Sequence, residues 1–130
     1  MDFVTLKKNL KKDFKGFTPR KVALLGDSAT QFLAQATRAA GYNRKVDLQI
    51  FESDYDQIDL QIIDTASELY NFSPQYVVIF FCTQKLLEKF YKSSYSDRVS
   101  FADNFLTHLQ KLTDRLSQEL PSTRIDRPVS

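Results

Sequence analysis

The chain has 130 residues, of which 42% are hydrophobic, and this combination indicates one folded domain rather than general disorder. One cysteine, Cys82, excludes an internal disulfide, and with a single histidine in the chain it also excludes a Cys/His zinc site. No apolar run approaches the roughly 20 residues needed to cross a bilayer, and no secretory signal is present. We therefore expect a cytoplasmic protein with no metal or cofactor in this chain and no membrane partner.

The first 21 residues carry seven basic and two acidic side chains, whereas the rest of the chain carries 11 basic and 14 acidic ones. Apolar residues within this start recur at helical spacing, namely Phe3, Leu6, Leu10 and Phe14. We predict an amphipathic helix within residues 1–19. A lysine-rich face is typical of contacts with nucleic acid or anionic lipid. Because no stacking aromatics lie among these lysines, we expect a solvated helix that binds neither, or one that docks on another domain.

Three strands are predicted to alternate with helices in residues 20–120. The strands are residues 22–25, 46–51 and 76–81, and the helices are about 28–40, 58–71, 84–92 and 99–120. Residues 93–96 look like a polar link. Gly41 is expected to cap the first of these helices, which should bury Phe32 and Leu33. The alternation predicts right-handed βαβ units and a three-layer parallel α/β sheet of flavodoxin-like type, followed by a polar tail at 121–130.

Ligands bind at the carboxyl ends of the strands in open α/β sheets. Three predicted loops meet there, at residues 26–30, 52–57 and 82–84, and they supply the candidate pocket residues: Gly26, Asp27, Ser28, Thr30, Tyr55, Gln57 and Thr83. Gly26 permits a tight turn, and free N–H groups at a helix start attract an anion or oxyanion. Ser28 is the candidate nucleophile. The alternative is that these residues only cap helices, namely Asp27 or Ser28 at the first helix, Asp54 or Asp56 at the second and Thr83 at the third.

The stretch KVALLGDSATQFL, residues 21–33, resembles the first block of the GDSL or SGNH hydrolases, in which the Gly-Asp-Ser serine attacks esters. This resemblance implies that Ser28 is the nucleophile in an SGNH-like fold. The later blocks differ, because residues 51–56 contain no glycine, residues 81–84 are Phe-Cys-Thr-Gln, and Phe105 stands three residues before His108. His108 is expected at a boundary or facing solvent. The catalytic set in this chain is therefore incomplete, and Ser28 would need a base from outside it.

A second resemblance covers nearly 90 residues. The blocks LKKNLKKDFKGF (6–17), LLGDSATQFLAQA (24–36), IFESDYDQIDLQIID (50–64), SELYNFSPQYVVIF (67–80) and TQKLLEKFY (83–91) are similar to the N-terminal domain of FkbH-like proteins, a haloacid-dehalogenase-type family. The resemblance implies a phosphatase-like domain beyond this chain. It also implies a role in acyl (glyceryl) transfer to a carrier protein, in secondary-metabolite or surface-glycan synthesis. The alternative is an inactive binding or docking module with a vestigial hydrolase-like pocket.

Overall fold

The computed structural model describes residues 3–27, 30–54 and 57–126. Its centre is a sheet of four strands, β1 (Thr18–Gly26), β2 (Val46–Glu52), β3 (Tyr76–Phe80) and β4 (Arg124–Asp126). The strands lie in the order β2-β1-β3-β4, and each neighbouring pair is parallel. This confirms the predicted parallel α/β sheet, and the order equals the first four positions of the flavodoxin-like arrangement.

Helices connect successive strands. These connecting helices are α2 (Gln31–Asn43), α3 (Ile58–Ile63), α4 (Glu68–Phe72), α5 (Thr83–Lys92), α6 (Tyr95–Val99) and α7 (Phe101–Glu119), while α1 (Phe3–Lys7) and a 3-10 helix (Lys8–Lys11) precede β1. Parallel neighbours require such crossovers, and right-handed crossovers place α2 on one face of the sheet and the later helices on the other. The resulting arrangement has three layers.

The main core lies on the face covered by α3, α4 and α7. Alternate residues of β1 and β3 point toward this face. They pack with buried aliphatic residues of the helices, and the cluster consists of Ala23, Leu25, Val77, Ile79, Phe81, Ile58, Ile62, Leu69, Leu109, Leu112 and Leu116. The predicted apolar stripe of the long helix is thus confirmed over its C-terminal half. Three helices cover this face of the sheet. The ends of these helices therefore border the region at the carboxyl ends of the strands.

Two elements differ from the prediction in this half of the molecule. The predicted helix over 58–71 is two helices, because Ala66 N–H donates to Asp64 Oδ1 at 3.0 Å and the hydroxyl of Ser67 donates to the Gln61 carbonyl at 2.6 Å. These side-chain contacts replace the helical pattern between α3 and α4. The second difference is that α6 begins within the predicted polar link. Ser94 caps this helix, because its hydroxyl accepts a hydrogen bond from the N–H of Asp97.

The fourth strand lies in the segment predicted as a polar tail. Arg124–Asp126 pairs with β3, so that Tyr76 is opposite Arg124 and Val78 opposite Asp126. It has three residues, and only Ile125 packs against the core. Backbone pairing at a sheet edge, and not a hydrophobic pattern, places this strand.

Helix α2 covers the other face and departs from the predicted burial. Phe32 is 71% exposed and Leu33 43% exposed, whereas Ala34, Ala39 and Gly41 are buried. Gly41 is inside the helix and is not its cap. A Cβ built at this glycine would lie 3.1 Å from Leu48 Cδ1 and 3.1 Å from the carbonyl oxygen of Val46. Close packing on β2, and not chain termination, explains the glycine.

The lysine-rich start packs against α2. Asn9 is buried and donates to the carbonyl of Ala39 at 3.0 Å and to Oδ1 of Asn43 at 3.1 Å. Farther along, the ring of Phe14 lies edge-on to Tyr42 at 5.4 Å between centroids. The predicted helix is shorter than expected, since it ends as a 3-10 turn at Lys11, and Leu6 and Leu10 on its apolar side are half-buried.

Candidate functional site

The ends of β1 and β3 are joined by Asp27. Gly26, the last residue of β1, is buried, and the next residue donates its N–H to the carbonyl of Phe80 at 3.2 Å. The Asp27 carboxylate accepts a hydrogen bond from the N–H of Cys82 at 2.8 Å. The expectation that Asp27 caps a helix is wrong, because α2 begins at Gln31 and its flanking residue is Thr30. This carboxylate instead fixes the position of the loop that follows β3.

Thr30 ties the first loop to the end of β2. It is 7% exposed, and its hydroxyl donates to Glu52 Oε1 at 2.7 Å. The N–H of Ser53 also donates to the carbonyl of Leu24 at 3.1 Å. Two of the three predicted loops are therefore connected by direct hydrogen bonds at the carboxyl edge of the sheet.

Gln57 and Thr83 each stand at a helix start. Gln57 immediately precedes α3 and donates its N–H to the carbonyl of Asp54 at 3.1 Å, while the side chain of Asp54 makes no cap at this helix. Thr83 is exposed and is the first residue of α5, whose flanking residue is Cys82. Capping by Thr83 or by Asp54 was thus the wrong interpretation. Ser28, Tyr55 and Asp56 lie outside the described residues, so the predicted nucleophile and the alternative cap Asp56 stay predictions.

A cavity of about 670 Å³ lies beside Asp27. Its volume falls within the range of small-molecule sites. Helices α3, α5 and α7 and the end of β3 supply the rest of its described lining, which is Ile58, Asp59, Phe81, Lys85, Leu86, Glu88, Lys89, Lys92, Phe101, Asn104, Phe105 and His108. Among the predicted pocket residues that the structure describes, Asp27 lines this cavity, and Gly26, Thr30, Gln57 and Thr83 do not.

His108 lies on this cavity and is paired with a carboxylate. Its Nε2 is 3.1 Å from Oδ1 and 3.0 Å from Oδ2 of Asp59, and the two side chains are 49% and 55% exposed. The half-exposed position agrees with the expected boundary histidine, but its contact with Asp59 was missed. The two residues are 49 positions apart on different helices, and no local motif connects them. An imidazole held by a carboxylate is a group that can accept a proton.

Lysines line one wall of the cavity. Lys85, Lys89 and Lys92 follow each other at spacings of four and three residues, which places them along one side of α5. The ammonium of Lys85 donates to the backbone carbonyl of Asp27. The cavity is therefore lined both by Asp27 and by three lysines of α5. The prediction from sequence motifs did not include these lysines.

Within residues 3–27, 30–54 and 57–126, no group of three or more His, Cys, Asp or Glu side chains is placed to hold a metal ion. None of the helices formed by these residues has the length and apolar character needed to span a membrane.

A parallel sheet in flavodoxin-like order, with hydrogen-bonded loops and a cavity at the carboxyl ends of its strands, defines a doubly wound α/β domain. The family described as "FkbH, N-terminal domain" matches residues 21–125. The chain belongs to this family, and the resemblance noted from the sequence is confirmed. No curated protein matches the chain.

A solved structure is similar to this chain over 98% of its length, with 35% sequence identity and a TM-score of 0.88. It is the crystal structure of the N-terminal part of the protein BF1531 from Bacteroides fragilis, which contains a phosphatase domain and is complexed with Mg. The present chain covers 32% of that neighbour's chain, about a third of its length. The likeness of residues 26–28 to the SGNH turn stays a prediction.

Proposed function

We propose that this chain is the ligand-holding N-terminal domain of a multidomain protein with a phosphatase-like domain. Its role is to hold an acyl group, such as a glyceryl group, for transfer to a carrier protein in secondary-metabolite or surface-glycan synthesis. The observation that carries the proposal is the cavity of about 670 Å³ at the carboxyl end of the sheet, beside the buried Asp27 that precedes Ser28 in the chain. Membership of the FkbH N-terminal family supports the multidomain context.

In the proposed acyl step, the hydroxyl oxygen of Ser28 bonds to the acyl carbon, the leaving group departs with the electron pair of its broken bond, and the hydroxyl proton goes to a base. From the sequence alone, this base was predicted to come from outside the chain. His108, paired with Asp59 on the cavity wall, supports an acceptor within the chain. Such acceptors contribute about 10²–10⁴-fold to rate.

The test is acylation of the 130-residue chain with a p-nitrophenyl ester of a short acid. Release of p-nitrophenolate and the intact mass of the protein are followed together. We expect one acyl group on the wild type and on Ser96→Ala, an exposed serine on α6 that serves as the matched control. Ser28→Ala should remain unmodified. An acyl adduct that also forms on Ser28→Ala would show that this serine is not the nucleophile.

A binding or docking module without catalysis is the second candidate. It is favoured by the separation between the cavity and four of the predicted pocket residues, Gly26, Thr30, Gln57 and Thr83. In that case the wild type forms no acyl adduct, while the fold and the cavity persist. Co-purification of the chain with its own phosphatase-like domain, expressed separately, would then be the expected behaviour.

A further inference from the structure

We infer that the cavity bounded by α5 and α7 binds a small organic anion with an apolar body, and that Lys89 and Lys92 hold the anionic group. This inference rests on the proposed function insofar as both use the same cavity. It goes further by naming the class of ligand and the residues that select it, none of which belong to the Gly-Asp-Ser turn.

The floor of the cavity is apolar. The rings of Phe81 and Phe105 meet edge to face, with centroids 5.1 Å apart and planes at 80°. Ile58 is 5% exposed and Phe81 is 8% exposed, and both line the cavity together with the half-buried Leu86. The surface that these side chains leave exposed is apolar, and most of it belongs to Leu86, so an aliphatic or aromatic ligand body would cover it.

The lining contains three carboxylates and three lysines, Lys85, Lys89 and Lys92, and these groups differ in their partners. Of the three carboxylates in the lining, Asp27 accepts the N–H of Cys82, and Asp59 is paired with His108. Lys85 donates to the backbone carbonyl of Asp27. In the described part of the chain no ion pair joins Lys89 or Lys92 to a carboxylate, so these two ammonium groups are the ones placed to hold an anionic group.

The combination selects a ligand with two parts. An ion such as inorganic phosphate would leave the phenylalanine floor uncovered, and a neutral alcohol would leave the lysines without a counter-charge. Carboxylates and phosphate monoesters both present the oxygen acceptors that ammonium groups bind. The shared chemistry is therefore an oxyanion joined to a short apolar chain.

The single histidine of the chain provides a direct reporter, because His108 lies on the cavity wall. Its ring signals can be followed by ¹H–¹³C NMR while hexanoate, hexyl phosphate, hexanol or inorganic phosphate is added. We expect saturable shifts with hexanoate or hexyl phosphate, and comparison of these two identifies the preferred head group. Hexanol and inorganic phosphate should each bind about tenfold more weakly or worse, since each lacks one of the two contacts.

Variants test the assignment of the lysines. The double variant Lys89→Gln with Lys92→Gln should weaken hexanoate or hexyl phosphate binding about tenfold and leave hexanol unaffected. Lys111→Gln, an exposed lysine on α7 outside the cavity lining, is the matched control and should bind as the wild type does. Equal affinity for hexanol and hexanoate in the wild type, or unchanged anion affinity in the double variant, would overturn the inference.

The two proposals fail separately. Anion binding without an acyl adduct on Ser28 would support this inference and contradict the acyl step. An acyl adduct without anion binding at the lysines would support the acyl step and contradict this inference. A loss of folding in the double variant is recognised from its far-ultraviolet circular dichroism. Lys89→Gln alone then serves, with the same expected weakening of anion binding and the same contradicting result.

Discussion

Asp27 Oδ1 lies 2.8 Å from the backbone nitrogen of Cys82, a residue 55 positions later in the chain. The contact joins the loop after β1 to the loop after β3, and Asp27 itself is 5% exposed. Together with the hydrogen bond from the Lys85 ammonium to the Asp27 carbonyl, this carboxylate fixes the start of α5 relative to the end of β1. The cavity wall formed by α5 depends on the same connection.

Replacing Asp27 by Ala should therefore destabilise the domain by about 1–3 kcal/mol, because the N–H of Cys82 loses its acceptor in a partly buried place. Asp27→Asn is the matched variant, since its amide oxygen can still accept the hydrogen bond. Urea unfolding followed by circular dichroism measures both. Equal losses in the two variants would show that the hydrogen bond is not the source of the stability.

Gly41→Ala should also destabilise the fold, by about 1–3 kcal/mol, because overpacking forces neighbours to shift. The added Cβ would meet the backbone carbonyl of Val46, which cannot rotate away as a side chain does. Helix propensity alone predicts the opposite, a gain of about 1 kcal/mol. The neighbouring Ala40 is exposed, and Ala40→Gly measures that propensity on the same helix. A Gly41→Ala protein more stable than the wild type would refute the close packing on β2.

Asn9→Asp should detach the N-terminal segment from α2. The buried amide donates to two oxygens, those of Ala39 and Asn43, and a carboxylate at the same place would repel both. A loss of about 1–3 kcal/mol is expected, as for a buried group without its partner. Asn71→Asp, at an exposed position of α4, controls for the charge change. Proteolysis near residue 12 in Asn9→Asp but not in Asn71→Asp would locate the loosened segment.

Tyr70 should make stability fall in alkaline solution. Burial raises the pKa of its phenol above 10.0, Glu119 raises it further, and Arg115 acts in the opposite direction. The folded protein thus keeps the phenol proton at a pH where the unfolded chain begins to lose it. The contribution is complete below pH 10.0 and is lost as pH rises from there through the folded-state pKa.

Tyr70→Phe provides the measurement. At neutral pH it removes the donor to the carbonyl of Ile62 and should cost about 1 kcal/mol. Above pH 10 the difference in unfolding free energy between wild type and Tyr70→Phe should shrink, and urea titrations on both sides of that pH give this difference. A constant difference across the range would contradict the assigned direction.

The strands with continuous apolar residues were predictable because buried parallel strands require such runs. Short polar elements were not. Arg124–Asp126 is placed by backbone pairing with β3, and the break between α3 and α4 is made by side-chain bonds from Asp64 and Ser67. Helical periodicity also led to the wrong burial for Phe32, since the face of α2 is chosen by the small residues that approach β2.

The candidate site was predictable only in its location. The rule for parallel sheets gave the strand-end loops, and Asp27 does line the cavity there. The contact between Asp59 and His108 needed the packing of α3 against α7, which no spacing in the sequence encodes. The lysines of α5 were visible as charges, but a charge run by itself indicates a solvated surface.

The direction of the last strand determines at which edge of the sheet the described chain ends. Because β4 runs parallel to β3, its carboxyl end points to the same rim of the sheet as the loops after β1 and β3. All four described strands therefore direct their carboxyl ends to the rim that carries the cavity, and the last of them ends there at Asp126.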